Sequence, residues 1–123
     1  MTDQTMFDTV VAHLLTQNSV SMDDTGTCVY KGPDNKRCAI GCLIPDEMYT
    51  VDLEGKEVRT LVNNPLFSAE LTKYLSQFNL ELLIHLQRVH DAHNPSSWYT
   101  KLEKVAAYFD LNFNPPKLQS ETA

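Results

Sequence analysis

Thr27-Cys28-Val29-Tyr30-Lys31-Gly32-Pro33-Asp34-Asn35-Lys36-Arg37-Cys38-Ala39-Ile40-Gly41-Cys42-Leu43-Ile44, residues 27–44, decides between a purely helical chain and a mixed one. The helical period that governs the flanking segments gives way here to a two-residue period. Thr27 to Lys31 and Lys36 to Ile44 read as strands, with Gly32-Pro33-Asp34-Asn35 as the turn between them. Gly, Pro, Asp and Asn each favour turn geometry for a separate backbone reason. Pairing Tyr30 with Lys36 would set Cys28 opposite Cys38, and alternation would place Cys38, Ile40 and Cys42 on one face.

Outward from this stretch the pattern is helical. Towards the N-terminus, residues 3–17 carry Phe7, Val10, Val11, Leu14 and Leu15 on one stripe, with Asp3 or Thr5 as N-cap and a polar loop from Asn18 to Thr27. Towards the C-terminus, Pro45-Asp46-Glu47 predicts a short helix running to Tyr49, with Pro at its first position and carboxylates at its positive end. Residues 52–56 read as a loop and 57–63 as a second short helix. Asn64-Pro65 opens a helix striped by Phe67, Leu71, Tyr74, Leu75 and Phe78. Another, over 79–93, carries Leu82, Leu83, Leu86 and Val89 and stops before Pro95. Ser96 or Ser97 would cap the last, whose apolar side is Trp98, Leu102, Val105 and Phe109. The expected fold class is therefore α+β, predominantly helical: one β-hairpin packed against four or five helices. It forms a single globular domain over 1–111, followed by a flexible C-terminal tail over 112–123.

Composition sets the outer limits. With 42% hydrophobic and 21% charged residues, the 123-residue chain is too apolar to be disordered. It is also long enough to fold without a metal or disulfide. A net charge of −6 argues against direct DNA or RNA binding, and the densest basic stretch is only Lys31, Lys36 and Arg37. Asp23-Asp24 and Asp46-Glu47 are isolated acidic pairs, not the dense array of a DNA mimic. The longest apolar run, Ala39 to Pro45, is too short to cross a bilayer, and Met1-Thr2-Asp3-Gln4-Thr5 lacks secretory features. A cytoplasmic location is expected, with the three cysteines as free thiols.

Three constellations could carry chemistry. Cys28, Cys38 and Cys42 with His90 or His93 offer three sulfurs and a nitrogen to tetrahedral zinc. The intervening gaps of nine and three residues are not those of a zinc knuckle. On an extended strand Cys38 and Cys42 would lie about 13 Å apart unless Gly41 breaks it. Second, Cys38 or Cys28 could be a nucleophile activated by His90. Asp91, about 100° away around the helix, is poorly placed to orient that ring. His90 falls at the edge of the apolar stripe of Leu83 and Leu86, where a ring joining the helix to the hairpin is the simpler role. Third, the turn from Gly41 to Glu47 would suit an anion at a helix start, although Asp46 and Glu47 already occupy that positive end. Tyr30 and Tyr49 flank the distinctive segment and, with Asp46 and Glu47, are the candidate binding residues.

Two segments taken together are distinctive. Cys28-Val29-Tyr30-Lys31-Gly32-Pro33-Asp34 leads to Cys38-Ala39-Ile40-Gly41-Cys42-Leu43-Ile44-Pro45-Asp46-Glu47-Met48-Tyr49. Leu86-Gln87-Arg88-Val89-His90-Asp91 is followed by Trp98. From Phe7 to Leu111 the chain resembles a family of small uncharacterised proteins of tailed bacteriophages and related prophages. The resemblance implies an accessory protein made in the host bacterial cytoplasm. It would act by binding a host protein or a host signalling nucleotide, to counter host defence, with no cofactor. The competing readings are a zinc-binding protein built on Cys28, Cys38, Cys42 and His90, and a cysteine-nucleophile enzyme built on Cys38 and His90.

Overall fold

The computed structural model describes residues 2–63, 69–92 and 94–116. Five α-helices lie among them: α1 (Asp3–Gln17), α2 (Val58–Asn63), α3 (Ala69–Ser76), α4 (Leu80–Asp91) and α5 (Trp98–Tyr108). The α1 stripe of Met6, Phe7, Val10, Val11, Leu14 and Leu15 is buried as its spacing requires. Its cap is Thr2, whose hydroxyl accepts the Thr5 N–H, one residue before the earlier of the two expected caps. At the other end Asn18 adopts a left-handed conformation and closes the helix on the Leu14 carbonyl. Asn79 caps α4 by accepting from Glu81 and Leu82. Ser97 occupies the N-cap position of α5 without a side-chain capping bond: a single turn over Pro95–Ser97 precedes the helix, and the Ser97 hydroxyl donates backwards to the Asn94 carbonyl. Helix α4 packs on α5 and α2, α2 on α3, and α1 on α5.

The expected β-hairpin is absent. No strand occurs among the described residues; single antiparallel bridges join Met22 to Cys28 and Lys31 to Arg37. The chain does reverse at Gly32–Lys36, where the Gly32 N–H donates to the Lys36 carbonyl at 2.8 Å and Asp34 and Asn35 take positive φ. No ladder grows from that turn, because side chains of other elements take the backbone groups. The Glu54 carboxylate accepts the Tyr30 and Lys31 N–H groups. Gln17 accepts from Arg37, and Gln87 from Ile40. The Arg37 carbonyl receives His13 Nε2–H and the Gln17 amide. The Ser21 hydroxyl lies against the Val29 and Lys36 carbonyls. Backbone groups must find partners, but the partners need not be another strand.

The second half of the expected hairpin curls instead into a single helical turn over Gly41–Leu43, and the short helix expected from Pro45 to Tyr49 is a single turn over Asp46–Met48. Cys38, Ala39, Ile40 and Gly41 are all buried, a continuous run where alternation had been expected. Pro45 is extended and precedes its turn; it is not the first helical residue. Gly41 lies against the Tyr30 backbone so closely that a Cβ there would fall 1.9 Å from the Tyr30 carbonyl oxygen. The glycine therefore serves chain packing, not ligand approach.

Helix α2 fills the region expected from 57–63, and in α3 Leu71 and Leu75 are buried. The expected opening at Asn64-Pro65, with Phe67, lies outside the described residues, as does His93. The first part of the expected tail is tied down: Gln4 exchanges two hydrogen bonds with the Asn112 backbone, and Phe113 sits edge-on to Tyr99. No helix among the described residues is long and apolar enough to cross a membrane.

Gly41→Ala should lower the free energy of unfolding by about 3 kcal/mol, since overpacking here meets backbone and not a flexible side chain. Urea denaturation measures it; a loss below about 1 kcal/mol would mean the Tyr30 strand-like segment yields freely.

Candidate functional site

His90 occupies the last turn of α4 and is completely buried, with its ring stacked on Trp98 at 5.7 Å between centroids. Its Nε2 accepts the Ser21 backbone N–H at 2.9 Å. An amide N–H can only donate, so Nε2 carries no proton and the ring's proton sits on Nδ1. Nδ1–H points to Asp91 Oδ1 at 3.0 Å. The expectation that Asp91 is poorly placed to orient its neighbour's ring is thus overturned. The 100° step separates Cβ directions, whereas Nδ1 lies on the near side of the imidazole and the short Asp91 side chain folds across to it. The same carboxylate accepts from Gln87 Nε2 at 3.1 Å and from the Cys28 thiol.

Cys28, His90 and Asp91 bring a sulfur, a ring nitrogen and a carboxylate oxygen within 4.8 Å of one another. Cys38 and Cys42 do not join this group. Cys38 Sγ accepts the Gly41 N–H at 3.2 Å, and the Cys42 thiol donates to the Ala39 carbonyl at 3.1 Å. Burial pushes both thiols up to about 12. The cluster does not fit a metal. A ligating histidine ordinarily offers its second N–H to an acceptor. Here that second nitrogen faces an N–H donor, so coordination at Nδ1 would strip the ring of its only N–H proton.

The nucleophile reading meets the same obstacle. Both His90 nitrogens are committed, leaving none to take a thiol proton from Cys38. Cys28 is pushed up to about 12, first by burial and then by the Asp91 charge it faces. A carboxylate beside a thiol holds the proton on sulfur, the reverse of activation.

The four candidate binding residues disperse. Asp46 takes Arg37 and lies 4.0 Å from Lys31, so cations hold its carboxyl below the usual range. The Tyr49 hydroxyl donates to Glu54 at 2.7 Å, its ring lies under the Lys31 ammonium, and Glu47 is exposed. Tyr30 alone of the four borders a cleft of about 460 Å³ between the 27–30 segment, the 55–59 segment and α4. The Tyr30 hydroxyl donates to the Lys56 carbonyl, and burial raises its pKa. The functional character of the cleft comes from residues passed over in the sequence, above all Lys56, Arg59, Ile84 and Arg88. A signal existed: Ile84, Gln87, Arg88 and Asp91 recur at helical spacing beside the core stripe.

His90→Phe keeps a ring against Trp98 but removes the acceptor. It should cost about 1–3 kcal/mol and speed hydrogen exchange at the Ser21 amide; unchanged exchange would show that this bond does not hold the loop. Zinc offered to chelator-free protein should be lost on gel filtration. Retention of about one zinc per chain would overturn the tautomer assigned to His90.

Comparison of the chain with protein-family models, curated proteins and solved structures gives no match, so what this site does follows from its own atoms.

Proposed function

We propose that this chain is a non-catalytic binding protein whose recognition site is the cleft between the 27–30 segment, the 55–59 segment and α4. One observation carries the reading. Three chain segments far apart in sequence converge on a cavity of about 460 Å³ lined by buried or half-buried apolar side chains and exposed charged ones. Cavities of roughly 300–1,000 Å³ suit small organic ligands. Val58, Ile84 and Tyr30 supply the apolar part; Lys56, Arg59, Arg88, Glu57 and Asp91 supply polar groups. The walls are held by the Ser21–His90 and Tyr30–Lys56 hydrogen bonds, which pre-organise the cavity.

The resemblance of the Cys28–Tyr49 and Leu86–Trp98 segments to phage proteins supports a setting in the cytoplasm of an infected bacterium. There the ligand would be a host-made signalling nucleotide, and its capture would blunt host defence. A host protein is the second reading. It is favoured by the exposed Tyr108, 74% accessible, which stacks on His85 beside Phe109 on the α4–α5 side of the molecule.

The test is capture of small molecules. Protein incubated with the low-molecular-weight fraction of a bacterial lysate, gel-filtered and then denatured, should release a retained compound. Ile84→Trp, which places an indole in the cleft, should retain at least about tenfold less. Equal recovery from both proteins, or none from either, would overturn the cleft as the recognition site.

A further inference from the structure

We infer that the cleft takes a phosphorylated small molecule, its phosphate held by Lys56, Arg59 and Arg88. This rests on the binding reading above and names the chemical class of its ligand. On a chain of net charge −6, the lining gathers three cationic side chains against two carboxylates, Glu57 and Asp91. The cations come from two segments far apart in sequence: Lys56 and Arg59 from the 55–59 segment at the start of α2, and Arg88 from α4. Convergence of separate elements on one volume is what clamping a multivalent anion requires, and arginine's planar fork matches phosphate oxygens in pairs.

The carboxylates do not cancel this. Asp91 is 44% exposed, but its carboxylate already accepts from Gln87, His90 and the Cys28 thiol. Its charge is thereby spread into the protein's own hydrogen bonds. Glu57 is exposed at the rim, where a carboxylate can accept from a sugar hydroxyl or an amino group of the ligand. Arg59 is paired with Glu81 at 3.9 Å, but both side chains are more than half exposed. Such a pair contributes little and yields readily to a phosphate.

The backbone supports the same assignment. The Glu54 carboxylate is fixed by the Tyr30 N–H, the Lys31 N–H and the Tyr49 hydroxyl. The Lys56 carbonyl is fixed by the Tyr30 hydroxyl. Between them Gly55 takes φ +79°, with open space where a side chain would stand. The root of Lys56 is therefore set, and the turn beside it leaves room at the cleft. Val58, Ile84 and Tyr30 provide the apolar surface against which the non-phosphate part would lie, at a size that suits a nucleotide.

The experiment is a titration of the isotope-labelled full chain with pyrophosphate, ADP, ATP and uncharged adenosine, followed by amide chemical shifts. The phosphate-bearing probes should move the signals of 55–59 and 84–91, and ADP or ATP should bind at least about tenfold more tightly than adenosine. Arg88→Gln and Lys56→Gln should each weaken ADP binding several-fold while leaving the dispersed spectrum of the folded protein. Arg88→Glu should weaken it further, and added salt should act in the same direction. Adenosine binding as well as ADP, with neither glutamine variant having an effect, would overturn the phosphate assignment and leave the cleft standing as a site for neutral ligands. Shifts confined to residues away from the cleft, or none with any phosphate probe, would overturn it as well. The cleft itself falls only if the Ile84→Trp comparison fails too.

Discussion

A single buried hydrogen bond, from the Ser21 backbone N–H to His90 Nε2, sets the terms for much of this molecule. It reaches across 69 residues from a loop to the last turn of α4, at a point where both partners are inaccessible to solvent. A buried amide without an acceptor costs about 1–3 kcal/mol, so the loop is held where His90 stands. The bond also chooses the tautomer. With Nε2 as acceptor, Nδ1 must donate, Asp91 must receive, and Asp91 then confronts the Cys28 thiol. One geometric fact thus turns a set of residues with metal-site and nucleophile chemistry into a structural lock.

The same principle operates along the segment from residue 27 to residue 44. A hairpin would satisfy its backbone by strand pairing. Here Gln17, His13, Ser21, Glu54 and Gln87 reach in from other elements and satisfy it from the side. Those contacts also anchor the segment to α1, to α4, to the loop at Ser21 and to the 54–56 turn. The arrangement also shapes the surface. A segment stitched to α4 and to the 54–56 turn leaves an opening between the stitches, and that opening is the cleft. Its walls are as fixed as the hydrogen bonds that flank it, while Lys56, Arg59 and Arg88 stand at its rim.

Legibility differed sharply between helix and loop. The stripes of α1, α4 and α5 were readable because burial on a helix recurs at 3.6 residues whatever lies opposite. The strand reading of residues 27–44 failed because two-residue alternation and a Gly-Pro-Asp-Asn turn are local signals. Whether a ladder grows depends on competing acceptors such as Glu54 and Gln87, which are distant in sequence. In the sequence His90 reads as a ring joining the helix to the hairpin; it joins the helix instead to the loop at Ser21. Its bond to Asp91 was not legible, because Cβ directions say nothing of how far two side chains can fold towards each other.

The sequence by itself determined that the chain is mainly helical, where most helices run, that His90 follows the apolar stripe of its helix, and that the chain turns back at Gly32–Lys36. Those properties follow from periodicity and backbone preference, which each residue carries with it. Tertiary structure alone decided that the turn would not become a sheet, that the three sulfurs would separate, and that cations from two distant segments would share one cavity. These depend on which distant side chain arrives first at a given backbone group or empty volume, and no local pattern encodes that.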